Sequence, residues 1–110
     1  MKKVINWVYV KDITEDEYGN PEVNYYITKT YSDNLVYNRG IWETKYLTNN
    51  WWFKINPDSG RLAEDSEIPE DDLELSAYAK LIDLSSVPLP EDGEFIEITQ
   101  KIEQSINYSY

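Results

Sequence analysis

The stretch that most constrains the fold is KKVINWVYV, residues 2–10. Val4, Asn6, Val8 and Val10 alternate there with Ile5, Trp7 and Tyr9, which sets strong β-formers on both faces of an extended chain. EYGNPE follows with Gly19, Asn20 and Pro21 as a turn signal. VNYYITKTY (23–31) then places Val23, Tyr25, Ile27 and Tyr31 on one side. These two segments predict a β-hairpin. GIWETKYL (40–47) and WWFKI (51–55) flank the pair Asn49-Asn50, and asparagine tolerates positive φ, so a second tight hairpin is expected there. NPDSG (56–60) ends the fourth strand with a proline-led turn. SDNLVYNRG (32–40) reads as a short helical turn or a loop.

Beyond residue 61 the pattern changes. Pro69 suits the first turn of a helix, with acids near its positive end, and Leu73, Ala77, Leu81 and Leu84 recur at helical spacing. A helix over 70–84 is expected, stopped by the prolines of SSVPLP. The last piece, GEFIEITQKIEQSINYSY, supports a strand from 94 to about 102, with a helix as the competing assignment because Phe95, Ile98, Ile102 and Ile106 also share a helical face. The expected fold is α+β in one domain spanning 1–110: an antiparallel sheet of four to five strands with one helix. A small all-β sandwich or barrel is the alternative.

Charge divides the same chain in two. Residues 1–61 carry eight acidic and eight basic side chains, whereas 62–110 carry thirteen acidic ones against Lys80 and Lys101, which is the whole net charge of −11. Seven acids fall within Glu64 to Glu74: Glu64, Asp65, Glu67, Glu70, Asp71, Asp72 and Glu74. A second cluster holds Glu91, Asp92, Glu94 and Glu97. Aromatics run the other way, with twelve of sixteen before residue 62. Adjacent Trp51 and Trp52 must point to opposite faces of a strand, so both are buried only if the sheet is covered on both sides.

Several chemistries are removed by composition. The chain has neither cysteine nor histidine, so thiolate nucleophiles, thiolate zinc sites, disulfides and histidine-assisted catalysis are excluded. Asn56, Asp58, Glu64, Asp65 and Glu67 offer hard oxygen donors, but an EF-hand loop begun at Asn56 needs glycine sixth and finds Arg61. Paired carboxylates of a glycosidase would need a cleft that so short a chain hardly encloses. No catalytic residue, cofactor or metal is therefore assigned. No stretch approaches the roughly 18 apolar residues of a membrane span, the N-terminus lacks a signal-type apolar region, and a cytoplasmic protein is expected. The abundance of isoleucine, asparagine, lysine and tyrosine points to A/T-rich coding DNA, as in low-GC bacteria and their phages.

Like charges packed this closely weaken the compact state. Exposed on one surface, they would resemble a phosphate backbone to a protein that binds nucleic acid through lysine and arginine. The expected function is a non-catalytic inhibitor of phage type, whose acidic surface fills the basic nucleic-acid groove of a defence or DNA- or RNA-processing enzyme. The contact residues would be Glu64, Asp65, Glu67, Glu70, Asp71, Asp72 and Glu74, supported by Glu91, Asp92 and Glu94, with Trp52 as apolar anchor. Direct nucleic-acid binding is not expected at this charge. The competing expectation is a structural β-module of a phage particle or surface assembly, binding neighbouring subunits or a glycan through aromatics such as Tyr9, Tyr26 and Tyr46, and self-associating. Tyr108 and Tyr110 would then be docking residues.

Overall fold

The computed structural model describes residues 5–47 and 49–98. It is an α+β arrangement whose main sheet holds four antiparallel strands in the order Trp52–Ile55 (β5), Pro21–Tyr31 (β2), Ile5–Glu15 (β1) and Phe95–Ile98 (β6). β1 (Ile5–Glu15) and β2 (Pro21–Tyr31) form the expected hairpin, in register from Ile5↔Tyr31 to Glu15↔Pro21. Its turn is fixed by Asp16, whose Oδ1 accepts from the backbone N–H groups of Tyr18 and Asn20, both at 2.9 Å. β5 (Trp52–Ile55) adds to β2, and β6 (Phe95–Ile98) adds to the far side of β1. The strand expected near 94–102 is therefore present over 95–98, and its continuation lies outside the described residues.

The second hairpin differs from expectation. Ile41–Thr44 (β4) pairs with Leu35–Asn38 (β3) in a separate two-stranded ribbon, not with β5 across Asn49-Asn50. The connecting residues Arg39 and Gly40 have φ of 53° and 88°, and positive φ at both central positions is what a type I′ hairpin turn requires. The stretch 32–40 thus contains a 3-10 turn at Ser32–Asn34 and then a strand. A four-residue strand with Gly next to its turn is short enough to read as loop.

Both faces of the main sheet are covered. On one face Trp7, Tyr9, Ile27, Phe53 and Ile55 pack with Tyr78, Ala79, Ile82 and Leu84 into the principal core. On the other, Val8, Val10, Thr28 and Thr30 are also buried, beside the ribbon, whose Trp42 meets Phe95 edge-on with ring centroids 5.5 Å apart. Trp51 leans on the principal core, its ring 6.4 Å from Phe53, and Trp52 stands on the opposite side; each is half-buried. The outer edge of β5 is closed by the chain that returns along it. The Ala63 N–H donates to the Lys54 carbonyl (2.9 Å), and the Lys54 N–H donates to Ser66 Oγ (3.0 Å).

α1 spans Leu73–Leu81, shorter than the expected 70–84, with Asp72 as N-cap: its Oδ1 accepts from the Leu75 N–H at 3.0 Å. Of the expected apolar face, Leu84 is buried in the core but lies past the helix, and the three helical positions are corrected. Leu73 is 82% exposed and Ala77 and Leu81 also face outward, whereas Leu75, Tyr78, Ala79 and Ile82 turn to the sheet. Positions 75, 78, 79 and 82 form a complete helical stripe. What decides between the two stripes is the fit of the Tyr78 ring onto Trp7, stacked at 3.3 Å between centroids and 9° between planes.

Candidate functional site

The acidic segment leaves β5 through the turn at 56–60 and wraps around the sheet to α1. All ten expected carboxylate contacts (Glu64, Asp65, Glu67, Glu70, Asp71, Asp72, Glu74, Glu91, Asp92 and Glu94) are exposed. Three of them are tied to lysines of the sheet: Asp65 to Lys54 on β5 (2.6 Å), Glu74 to Lys29 on β2 (2.9 Å) and Asp92 to Lys11 on β1 (2.6 Å). Asp72 is engaged as the helix cap. Among the described residues, Glu64, Glu67, Glu70, Asp71, Glu91 and Glu94 carry no ion pair. Lys54, by its hydrogen bond, holds the Asp65 carboxyl below the usual carboxylate range. Ser85, through its hydroxyl and backbone N–H, does the same for Asp83, with Arg61 adding a smaller charge effect.

These anchors spread the charge across the sheet. Lys54 sits on the edge strand β5, Lys29 on β2 and Lys11 on β1, so the 64–74 run and the 91–94 cluster are fastened to different strands. Lys11 pairs across the hairpin with Tyr25, and Lys29 with Trp7, four positions further along each strand, about 13 Å at the usual rise. Two clefts border the run. One, of about 440 Å³, is lined by Tyr25, Lys54, Asn56, Pro57, Glu64 and Asp65; the other, of about 370 Å³, by Lys29, Asn50, Trp51, Asp72, Glu74 and Leu75.

Trp51 touches the acidic run: its indole N–H donates to the Glu67 carbonyl at 3.1 Å. Trp52, the expected anchor, lies on the other face beside Asp12, Tyr26 and Trp42. Of the tyrosines offered as a platform, Tyr9 is 1% exposed and belongs to the core, where burial raises its phenol to a pKa of about 12; Tyr46 is exposed. Tyr108 and Tyr110 lie outside the described residues. Asn56 and Asp58 serve the turn itself, Asn56 Oδ1 accepting from the Asp58 N–H at 2.9 Å. Among the described residues no three carboxylates converge to hold a metal ion, and no helix is long and apolar enough to cross a membrane.

Sequence reasoning passed over Asp12. It is one of three acids in the hairpin strands, with Glu15 and Glu22, yet it is buried, and its Oδ1 accepts the Trp42 backbone N–H at 3.1 Å, fastening the ribbon to β1. Burial raises its pKa, partly opposed by that hydrogen bond. Because the folded chain then holds this proton more tightly than the unfolded chain, stability falls as pH rises from the unfolded value of about 4 through the folded one. Asp12→Asn keeps an acceptor for Trp42 and removes the buried charge. Thermal unfolding is expected to show the variant as stable as the parent or more so at pH 7, with its advantage shrinking toward pH 4. An advantage that grows on acidification would contradict the assignment.

Comparison with protein-family models, with curated proteins and with solved structures gave no match to this chain.

Proposed function

We propose that the chain is a non-catalytic inhibitor whose acidic surface occupies the basic nucleic-acid groove of a target enzyme, in the manner of a phage-borne antagonist of a defence or DNA- or RNA-processing system. The observation that supports this reading is the set of six exposed carboxylates, Glu64, Glu67, Glu70, Asp71, Glu91 and Glu94, that no cation among the described residues balances. Nucleic-acid-binding proteins commonly neutralise about 6 to 10 phosphates. A comparable number of carboxylates could take the place of those phosphates opposite the target's lysines and arginines, and the surrounding field would speed encounter at low salt. Lys11, Lys29 and Lys54 hold neighbouring carboxylates in place by ion pairs, which limits the ordering left to do on binding.

A second reading, the structural β-module, draws on a different observation: Tyr46, Leu47, Leu73 and Leu89 are exposed apolar side chains that a neighbouring subunit could cover. Size-exclusion chromatography at about 150 mM salt, alone and with a basic nuclease, separates the two. The inhibitor reading predicts a monomer that shifts into a complex with the nuclease and is released as salt rises. An oligomer indifferent to the nuclease would favour the structural module.

A further inference from the structure

On the face of the sheet that α1 does not cover, side chains from four strands meet around a pocket of about 160 Å³: Asp12 from β1, Tyr26 from β2, Trp42 from β4 and Trp52 from β5. Asp12 is 9% exposed and Trp42 is 7% exposed, so the wall and its charge are built into the fold. The Trp42 N–H is the one hydrogen-bond partner of the Asp12 carboxylate among the described residues, and no cation among them reaches it. Lys54, whose charge is felt at Tyr26, is held by Asp65 at 2.6 Å.

A buried carboxylate with one neutral donor is costly, and leaving it without a counter-charge is what a chain with free choice at that position would avoid. Two indoles and a phenol beside it make an environment that attracts a cation through the aromatic ring quadrupoles. Between the common cationic groups, guanidinium fits best, because it is planar, loses hydration more easily than ammonium, stacks on indole and donates two parallel hydrogen bonds to a carboxylate. We infer that this pocket is a binding site for the guanidinium head of an arginine side chain, with Asp12 as its counter-ion and Trp42, Trp52 and Tyr26 as its walls. The source of that arginine, a basic partner, rests on the proposed function; the chemistry of the pocket does not. It would give the inhibitor a specific contact on the face opposite α1, within the field of Asp65 and Glu22 that acts at Tyr26.

The test uses a free small molecule and no partner, so its failure leaves partner capture standing, and failure of partner capture leaves it standing. Isotope-labelled protein is titrated with Nα-acetylarginine methylamide and, separately, with butylammonium, following the indole N–H resonances of Trp42 and Trp52. The expected result is saturable movement of both signals by the arginine compound at about millimolar concentration, at least several-fold weaker response to butylammonium, and loss of saturation in Asp12→Asn. Trp52→Ala, at a half-exposed position, is expected to weaken binding about tenfold and serves if the Asp12 variant does not fold. No saturable movement, or the same saturation in both variants, would overturn the site; equal binding of butylammonium would overturn the choice of guanidinium.

Discussion

Replacing Gly60 by alanine is expected to cost about 3 kcal/mol, and to lower the melting temperature by roughly 12 °C in a domain of this size. Two penalties add. Gly60 has φ +73°, a region that costs an L-residue about 1–2 kcal/mol. An added Cβ would also meet backbone: the nitrogen of Ser85, the Leu84 carbonyl carbon at 2.6 Å and the Ser85 Cα at 2.8 Å. Neither neighbour can swing aside as a side chain would, because the Leu84 N–H donates to the Gly60 carbonyl at 2.8 Å and holds the chain after α1 against the turn after β5. Crowding of this kind typically costs about 1–3 kcal/mol. Gly19→Ala is the matched control, since it shares a positive φ of 79° but has nothing within 4 Å of its added Cβ. Thermal unfolding of the two variants should show Gly60→Ala clearly the worse. Equal losses would mean that the contact with Leu84 and Ser85 does not hold the acidic half to the sheet.

The second large effect belongs to Tyr78. Tyr78→Ala removes a fully buried ring that stacks on Trp7 and lies 6.1 Å from Phe53, so the lost burial and the cavity left behind should cost about 3–5 kcal/mol. Domains of this size are commonly stable by only about 5–15 kcal/mol, so the loss takes a large share of the whole and the denaturation midpoint should fall well below the parent's. Leu73→Ala, at an 82% exposed position of the same helix, should change stability by less than about 0.5 kcal/mol. Chemical denaturation measures both. A reversal of that order would mean that α1 presents its other face to the sheet.

The hairpin of β1 and β2 was legible in the sequence because alternation and turn chemistry agreed there, and the opposed placing of Trp51 and Trp52 followed from strand geometry alone. The ribbon was not. Asn49-Asn50 carried the stronger hairpin signal by composition, while the operative turn was Arg39-Gly40, where an arginine adopts positive φ because tertiary pairing of β3 and β4 demands it. The helix was legible by existence but not by face, since Leu73, Ala77 and Leu81 repeat as regularly as Leu75, Tyr78 and Ile82. Only a partner surface breaks that tie, and the partner is Trp7, more than seventy residues away in the chain. In the candidate site, exposure of the acids followed from their number. Their anchoring by Lys11, Lys29 and Lys54, and the burial of Asp12 among aromatics from three other strands, are long-range facts that no local pattern encodes.

The most direct test of the proposed function is competition by nucleic acid. Immobilised protein is exposed at low salt to a nucleic-acid-depleted bacterial lysate, then washed with a duplex oligonucleotide, in parallel with a variant carrying Glu64→Gln, Glu67→Gln, Glu70→Gln and Asp71→Asn. The inhibitor reading predicts a captured basic protein that the oligonucleotide releases and that the variant binds at least tenfold more weakly, with a shallower dependence on salt. Capture that neither the oligonucleotide nor the four substitutions disturb would contradict it.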